Sequence, residues 1–272
     1  KTLTRQGAPK ADIRQNKGQL RVMYDYASDM HLGLGSRDES LVRERQLVSW
    51  LEKVSADAGA IFIVGDMFDF WYEYKRVIPK GFSRLLGALS NLTDRGVEIH
   101  FFPGNHDLWA YDYLQTECGV QVHHKAEVFE LYGKRLFITH GDDIHARNFF
   151  WARIMNSIFR SRVARWIFSH TVHPNSALRF GLNWSSHSRK SKSVSHASFA
   201  ENDAMSTFAR AYDKLHIEYF VFGHNHYAEG YTIDKCRTTT LLGHAHEAPT
   251  YATLPPDGPM ALTHVGATCS AE

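Results

Sequence analysis

Seven side chains of metal-ligating type, Asp29, His31, Asp66, Asn105, His140, His224 and His226, fall in five short motifs: S-D-M-H, G-D, G-N-H-D, H-G-D and G-H-N-H. Carboxylate, amide and imidazole donors without thiolates suit Mn²⁺, Fe²⁺ or Zn²⁺ rather than Ca²⁺. Seven ligands serve two cations if one carboxylate bridges them, and Asp66 is the expected bridge. Two cations roughly 3.5–4 Å apart can activate a water and hold both the attacking and the leaving oxygen of an in-line displacement at phosphorus. In an extended segment residues i and i+2 point the same way, so Asp29 with His31, and His224 with His226, can each aim two donors at one place. Gly65, Gly104, Gly141 and Gly223 permit the tight turns beside them. His106 remains over as a group to protonate the leaving oxygen or to stabilise negative charge on phosphorus, with Asp107 to orient it. Each motif alone is weak, since Gly-Asn-His-Asp also has the composition of a plain turn. Five in succession, each ending an apolar run, point to a single crevice.

The elements that must carry these motifs are legible as apolar runs. Strands are expected at Arg21–Ser28, Ala60–Val64, Val97–Phe102, Arg135–Thr139 and Glu218–Phe222, each delivering Asp, Asn or His at its carboxyl end. Open α/β sheets place their ligand sites there, because the loops converge on one crevice. Helical spacing marks Leu41–Val54 and Gly81–Leu92, and Thr238–Leu242 could add another strand. Residues 1–20 are polar and aperiodic and read as a flexible leader; residues 21–272 read as one domain.

Composition excludes several classes. A net charge of +2 argues against a nucleic-acid binder held by phosphate contacts over its whole surface. Cys118, Cys236 and Cys269 are odd in number and widely spaced, which indicates neither a disulfide framework nor a zinc knuckle and fits a reducing, cytoplasmic setting. No apolar run reaches the roughly 18–20 residues of a membrane-spanning helix. His244-Ala-His246 resembles a second ligand pair but lacks acidic company, and His123, His124, His170 and His173 read as exposed or packing residues. Cys118 reads as a buried thiol.

The motifs SDMHLG, GDMFDFW, GNHD, HGD and GHNH together resemble the calcineurin-like metallophosphoesterase superfamily. The resemblance implies an α/β fold, a four-layer αββα sandwich with an inserted helical lid. It also implies that Asp29, His31, Asp66 and His226 hold one metal and Asp66, Asn105, His140 and His224 the other. The stretch GDMFDFWYEYKRVIPKGFSRLLGAL is similar to the UDP-2,3-diacylglucosamine diphosphatases of bacterial lipid A synthesis. That similarity implies Mn²⁺ as the usual cofactor and hydrolysis of a nucleotide-lipid pyrophosphate to UMP and 2,3-diacylglucosamine 1-phosphate. Well-studied members of that group carry Arg where this chain has His106, the ordinary residue of the wider superfamily.

The segment from Arg147 to Lys192 supports a lipid substrate on its own terms. It contains nine Lys or Arg and no Asp or Glu, leaving 22 basic and 29 acidic residues elsewhere. Phe149, Phe150, Trp151, Ile154, Met155, Ile158, Phe159, Val163, Trp166, Ile167 and Phe168 supply an apolar face. A basic amphipathic helix pair is expected over about 147–192, suited to an anionic membrane surface or to covering an acyl chain. The resemblance places the lid here, and Asn183, Arg189 and Lys190, where it returns to the core, are the expected diphosphate or sugar contacts. The expectation is therefore a peripheral enzyme on the inner face of the cytoplasmic membrane, with no nucleic-acid or obligate protein partner. An enzyme of the same fold acting on a water-soluble phosphate ester is the alternative. A non-catalytic scaffold of that fold would be expected to have lost ligands that this chain keeps.

Overall fold

Parallel strands buried on both faces read as continuous apolar runs, and three such runs lie side by side as β1 (Met23–Ala27), β2 (Ala58–Ile63) and β3 (Glu98–Phe101). The computed structural model that shows them describes residues 23–146, 150–192, 203–212, 214–234, 236–243 and 250–264. The leader read over residues 1–20, the His244 and His246 pair, Phe149 and Cys269 lie outside these. Two helices cover this sheet, α1 (Arg37–Val54) and α2 (Ser83–Asp94). The first starts earlier than its apolar spacing indicates, because Ser36 and Glu39 form a reciprocal capping box. After β3 comes α3 (Tyr113–Cys118), which buries Cys118 as expected, followed by the short β4 (Gln121–Val122) on the sheet edge.

The second sheet is built from β5 (Glu127–Leu131), β6 (Lys134–Thr139), β7 (Tyr219–Phe222), β8 (Glu229–Thr232) and β9 (Thr238–Leu241), in the order β5-β6-β7-β9-β8. Its β6, β7 and β9 are mutually parallel. Residues alternate between two cores along each strand. Tyr24, Tyr26, Ala60 and Phe62 face Phe129, Leu136, Ile138 and Val221 between the sheets. Ile61 and Ile63 face the α1–α3 layer, while Phe137, Phe220 and Phe222 face α4 (Asp142–Ala146) and α8 (Ala204–Ala211). The result is the four-layer αββα sandwich.

The C-terminal stretch, which the sequence left undecided, supplies two further strands, β10 (Thr250–Leu254) and β11 (Ala261–His264). They complete the first sheet in the order β11-β10-β1-β2-β3-β4. Pairing of β10 is antiparallel to β1, with Thr253 Oγ1 donating to the buried Asp25 carboxylate at 2.7 Å.

Between α4 and α8 the chain leaves the sandwich. Three helices stand where a pair was expected: α5 (Phe150–Phe159), α6 (Arg162–Thr171) and α7 (Pro174–Lys192). The break at 171–174 follows from Pro174, which opens α7 after Val172 caps α6. Side chains from the loops after β2 and β3 hold α5 and α6 by backbone carbonyls. Tyr72 Oη donates to Arg165 O at 3.3 Å, Tyr74 Oη to Val172 O at 2.9 Å and Trp109 Nε1 to Phe159 O at 3.2 Å. The Arg165 guanidinium lies 4.0 Å over the Tyr111 ring.

Phe62 sits at the middle of the inter-sheet core, stacked on Tyr26 at 4.8 Å and on His100 at 4.7 Å, with Phe129 edge-on at 5.1 Å. Phe62→Ala is expected to cost about 3–5 kcal/mol, measured as a lower urea midpoint with an unchanged m-value.

Candidate metal centre

All five sequence motifs emerge from the carboxyl ends of parallel strands: Asp29 and His31 after β1, Asp66 after β2, Asn105 after β3, His140 after β6, and His224 and His226 after β7. The turns are not extended. Asp29, His31, Asp66, His224 and His226 all have positive φ, between 44° and 70°, a left-handed conformation that non-glycine residues seldom adopt. The i and i+2 pairing expected from strand geometry is therefore corrected: left-handed turns aim these side chains. Such strain persists where the surroundings over-determine it and concentrates at functional sites.

Glycine serves the crevice mainly by close approach. A Cβ on Gly104 would lie 2.2 Å from Asp66 Oδ1 and 2.7 Å from His140 Nε2; on Gly223 it would lie 2.0 Å from Ser28 Oγ. Neither has a positive φ, whereas Gly65 and Gly141 do, at +86° and +102°.

Each buried carboxylate has one oxygen tied to the protein and one aimed inward. Asp29 Oδ2 accepts from Ser28 Oγ and from His224 N at 2.9 Å, and Asp66 Oδ1 accepts from His106 N at 3.0 Å. The inward oxygens meet imidazoles. Asp29 Oδ1 is 3.3 Å from His226 Nε2 and 3.8 Å from His31 Nε2, and Asp66 Oδ2 is 3.3 Å from His140 Nε2 and 4.0 Å from His31 Nε2. These separations exceed the usual hydrogen-bond range of about 2.7–3.2 Å. Asp29 Oδ1, Asp66 Oδ2, Asn105 Oδ1 and His140 Nε2 are all sealed from solvent without a hydrogen bond of acceptable geometry. Sealed polar atoms in that condition are costly unless something else coordinates them. His140 Nδ1 donates to Val64 O at 2.9 Å, which leaves Nε2 as the atom turned toward Asp66 Oδ2. Ligand atoms of Asp29, His31, Asp66 and His226 lie within 4.8 Å of one another, as do those of Asp66, His140 and His224. Asp66 belongs to both groups, so the donor set fits a pair of divalent cations.

Electrostatics follow from the same packing. Burial penalises the Asp66 carboxylate, yet His140, His106 and His31 outweigh it and hold Asp66 well below the usual carboxylate range. Desolvation opposes charge on His140 too, but Asp66 beside it pushes this imidazole up to about 10. For His31 desolvation prevails over Asp66 and drives it well below its ordinary value. Burial, reinforced by the charge of Asp66, raises Asp107 to about 7.

Asp107 does not orient His106. Its carboxylate instead accepts from Gly104 N at 2.7 Å, Phe68 N at 3.2 Å and Asp66 N at 3.3 Å, tying the two ligand loops together. His106 is oriented by Asp69, whose carbonyl accepts from His106 Nδ1 at 2.9 Å; Nε2 is thereby turned toward Asp66 Oδ2, 3.8 Å away. Asp69 was missed in the sequence although it stands three residues after Asp66 in the same GDMFD motif. Asn183 is exposed on α7, on the face opposite Gly181 and Ser185, while Arg189 and Lys190 lie on the final turns of that helix with side chains outside those described. His123 is buried, with Nε2 3.0 Å from His100 Nδ1, and His124, His170 and His173 are exposed, so none of the four adds to the centre.

The chain is similar in sequence to relatives of known kind. UDP-2,3-diacylglucosamine hydrolase of Porphyromonas gingivalis is 35% identical over 238 residues, which cover 82% of this chain and 90% of that protein. The hydrolase of the same name from Actinobacillus succinogenes is 23% identical over 180 residues, covering 66% of this chain and 74% of its own. Among solved structures, Vps29 of Chaetomium thermophilum superposes with a TM-score of 0.41 at 9% identity, over 89% of this chain and 95% of that one. The family description of calcineurin-like phosphoesterases matches residues 26–228. A match of that extent, running from the strand that delivers Asp29 to the turn just past His226, places the chain in the calcineurin-like phosphoesterase family.

Proposed function

We propose that this protein hydrolyses the pyrophosphate of UDP-2,3-diacylglucosamine, giving UMP and 2,3-diacylglucosamine 1-phosphate. The chemistry rests on one observation: two buried carboxylates whose inward oxygens meet only imidazoles, with Asp66 common to both ligand groups. The substrate is supported by the hydrolase of Porphyromonas gingivalis, similar over nearly its whole length. Asp29, His31, Asp66 and His226 would hold one cation and Asp66, Asn105, His140 and His224 the other, with Mn²⁺ the proposed ion. When bound, the pair would lower the pKa of a water and offset charge on the phosphorus oxygens. Hydrolysis joins the water oxygen to the α-phosphorus and releases the sugar 1-phosphate as leaving group. His106, its Nδ1 proton committed to the Asp69 carbonyl, presents Nε2 to the reacting phosphate, where it stabilises negative charge or hands a proton to the leaving oxygen. Asp107 keeps the turns carrying Asp66 and Asn105 in register.

A lipid substrate must be met at a membrane, and the three inserted helices carry a surface suited to one. Among the described residues no helix is long and apolar enough to cross a bilayer. Phe150, Trp151 and Trp166 are 63%, 72% and 61% exposed, and Arg153, Arg162 and Arg179 are exposed on the same helices. Large aromatics and arginines together suit the headgroup boundary of an anionic leaflet. We take the insertion to be a lid that contacts the membrane while the substrate's acyl chains leave it.

Detergent-solubilised UDP-2,3-diacylglucosamine with Mn²⁺ is expected to yield UMP, with activity lost in EDTA and restored by Mn²⁺. Faster cleavage of a water-soluble phosphodiester would count against the lipid substrate. Asp66→Ala and His106→Ala are each expected to lower kcat by about 10²-fold or more with circular dichroism unchanged; full activity in both would sink the mechanism. In sedimentation with vesicles containing anionic lipid, Trp151→Glu/Trp166→Glu is expected to stay in the supernatant at a salt concentration where the wild type pellets.

A further inference from the structure

The inserted helices and the metal-ligating turns meet at one buried hydroxyl. Helix α7 approaches the sandwich through Ala177, Gly181 and Ser185, four residues apart on a single helix face, and Ala177 and Ser185 are fully buried. The fit at Gly181 leaves no room for a side chain, since a Cβ would lie 2.2 Å from the Phe70 ring. One turn further on, Ser185 Oγ donates to Asp69 Oδ1 at 2.6 Å. That same oxygen is 3.6 Å from His31 Nδ1 and 3.8 Å from His106 Nδ1, and the Asp69 carbonyl holds the His106 proton. Asp69 therefore stands behind two imidazoles at once. One belongs to a metal-ligand group and the other faces the reacting phosphate.

We propose that Ser185 is a positioning residue. By donating to Asp69 it holds that carboxylate against the Nδ1 edges of His31 and His106, where its charge faces both rings, so the centre is fully formed only while α7 is seated on the loop after β2. The inference rests on the metal-centre reading above. Outer groups placed behind ligating histidines tune them, and loss of such partners commonly costs roughly 10–100-fold in metal affinity or activity. Deleting the hydroxyl removes the hydrogen bond that links α7 to the carboxylate behind both rings. Helix α7 itself accommodates the change, because its docking face already carries small residues.

Ser185→Ala, Asp69→Ala and the double variant separate this role from a merely structural one. Calorimetric titration of the metal-stripped protein with Mn²⁺ is expected to show roughly 10-fold weaker binding for Ser185→Ala, and kcat should fall roughly 10-fold with KM changed less than about 3-fold. The double variant should be no worse than Asp69→Ala alone, since both changes break one linkage. Ser185→Cys keeps the side-chain shape with a slightly larger atom but offers only a weak donor, and should behave as Ser185→Ala does. Wild-type Mn²⁺ affinity and kcat in Ser185→Ala, or losses that multiply in the double variant, would overturn the proposal. A wild type that neither binds Mn²⁺ nor turns over would sink the metal-centre reading itself, a result distinct from unchanged behaviour of the Ser185 variants.

Discussion

Burying like charges together is the constraint around which the molecule is organised. Asp29 and Asp66 are both fully enclosed, and an enclosed carboxylate is costly unless it is paired, hydrogen-bonded or coordinated. The protein satisfies half of each one, through Ser28, the His224 amide and the His106 amide. The other half has as its nearest neighbours His226 and His140, rings arriving from the opposite sheet. Neither sheet could do this alone, because His140, His224 and His226 come from β6 and β7 while the acids come from β1 and β2. Packing two sheets face to face with their parallel strands ending along one rim is what lets the donors meet.

Local conformation is spent on the same end. Five residues of the candidate centre take left-handed backbone angles, and such strain at non-glycine positions costs on the order of 1–3 kcal/mol each. Those turns are held from behind: Asp107 gathers three backbone amides from both loops, and the amides of Asp29 and His31 donate to the carbonyls of Gly65 and Asp66. The same loops then run outward into Phe70, Tyr72, Tyr74, Trp109 and Tyr111, which seat the inserted helices. Ligand turns and helix seat are thus two ends of the same short segments, so geometry can pass between them with little slack.

Much of this was legible in the sequence, for a physical reason. Strands buried on both faces are largely apolar and the turns after them polar, so the boundary between Phe222 and Gly223-His224 or between Val64 and Gly65-Asp66 announces itself. What stayed hidden depends on long-range partners. Asp107 and Asp69 are chemically alike and each lies near His106, but only the fold reveals that Asp69 touches its ring. Strand β10 reads as the unremarkable T-Y-A-T-L, and nothing local says that it pairs with a strand more than 200 residues earlier. The third inserted helix was lost for the opposite reason, since continuous apolar and basic composition conceals a break made by Pro174 alone.

That late pairing of β10 with β1 bears on how the polypeptide matures on the ribosome. Until Thr250–Leu254 has been synthesised and has cleared the exit tunnel, β1 presents an unpaired backbone edge, the kind of template that recruits foreign strands. The strand left waiting is the one that ends at Asp29. Assembly of the crevice therefore waits on the synthesis of Thr250–Leu254, and nascent chains stalled before that point would be clients for chaperones.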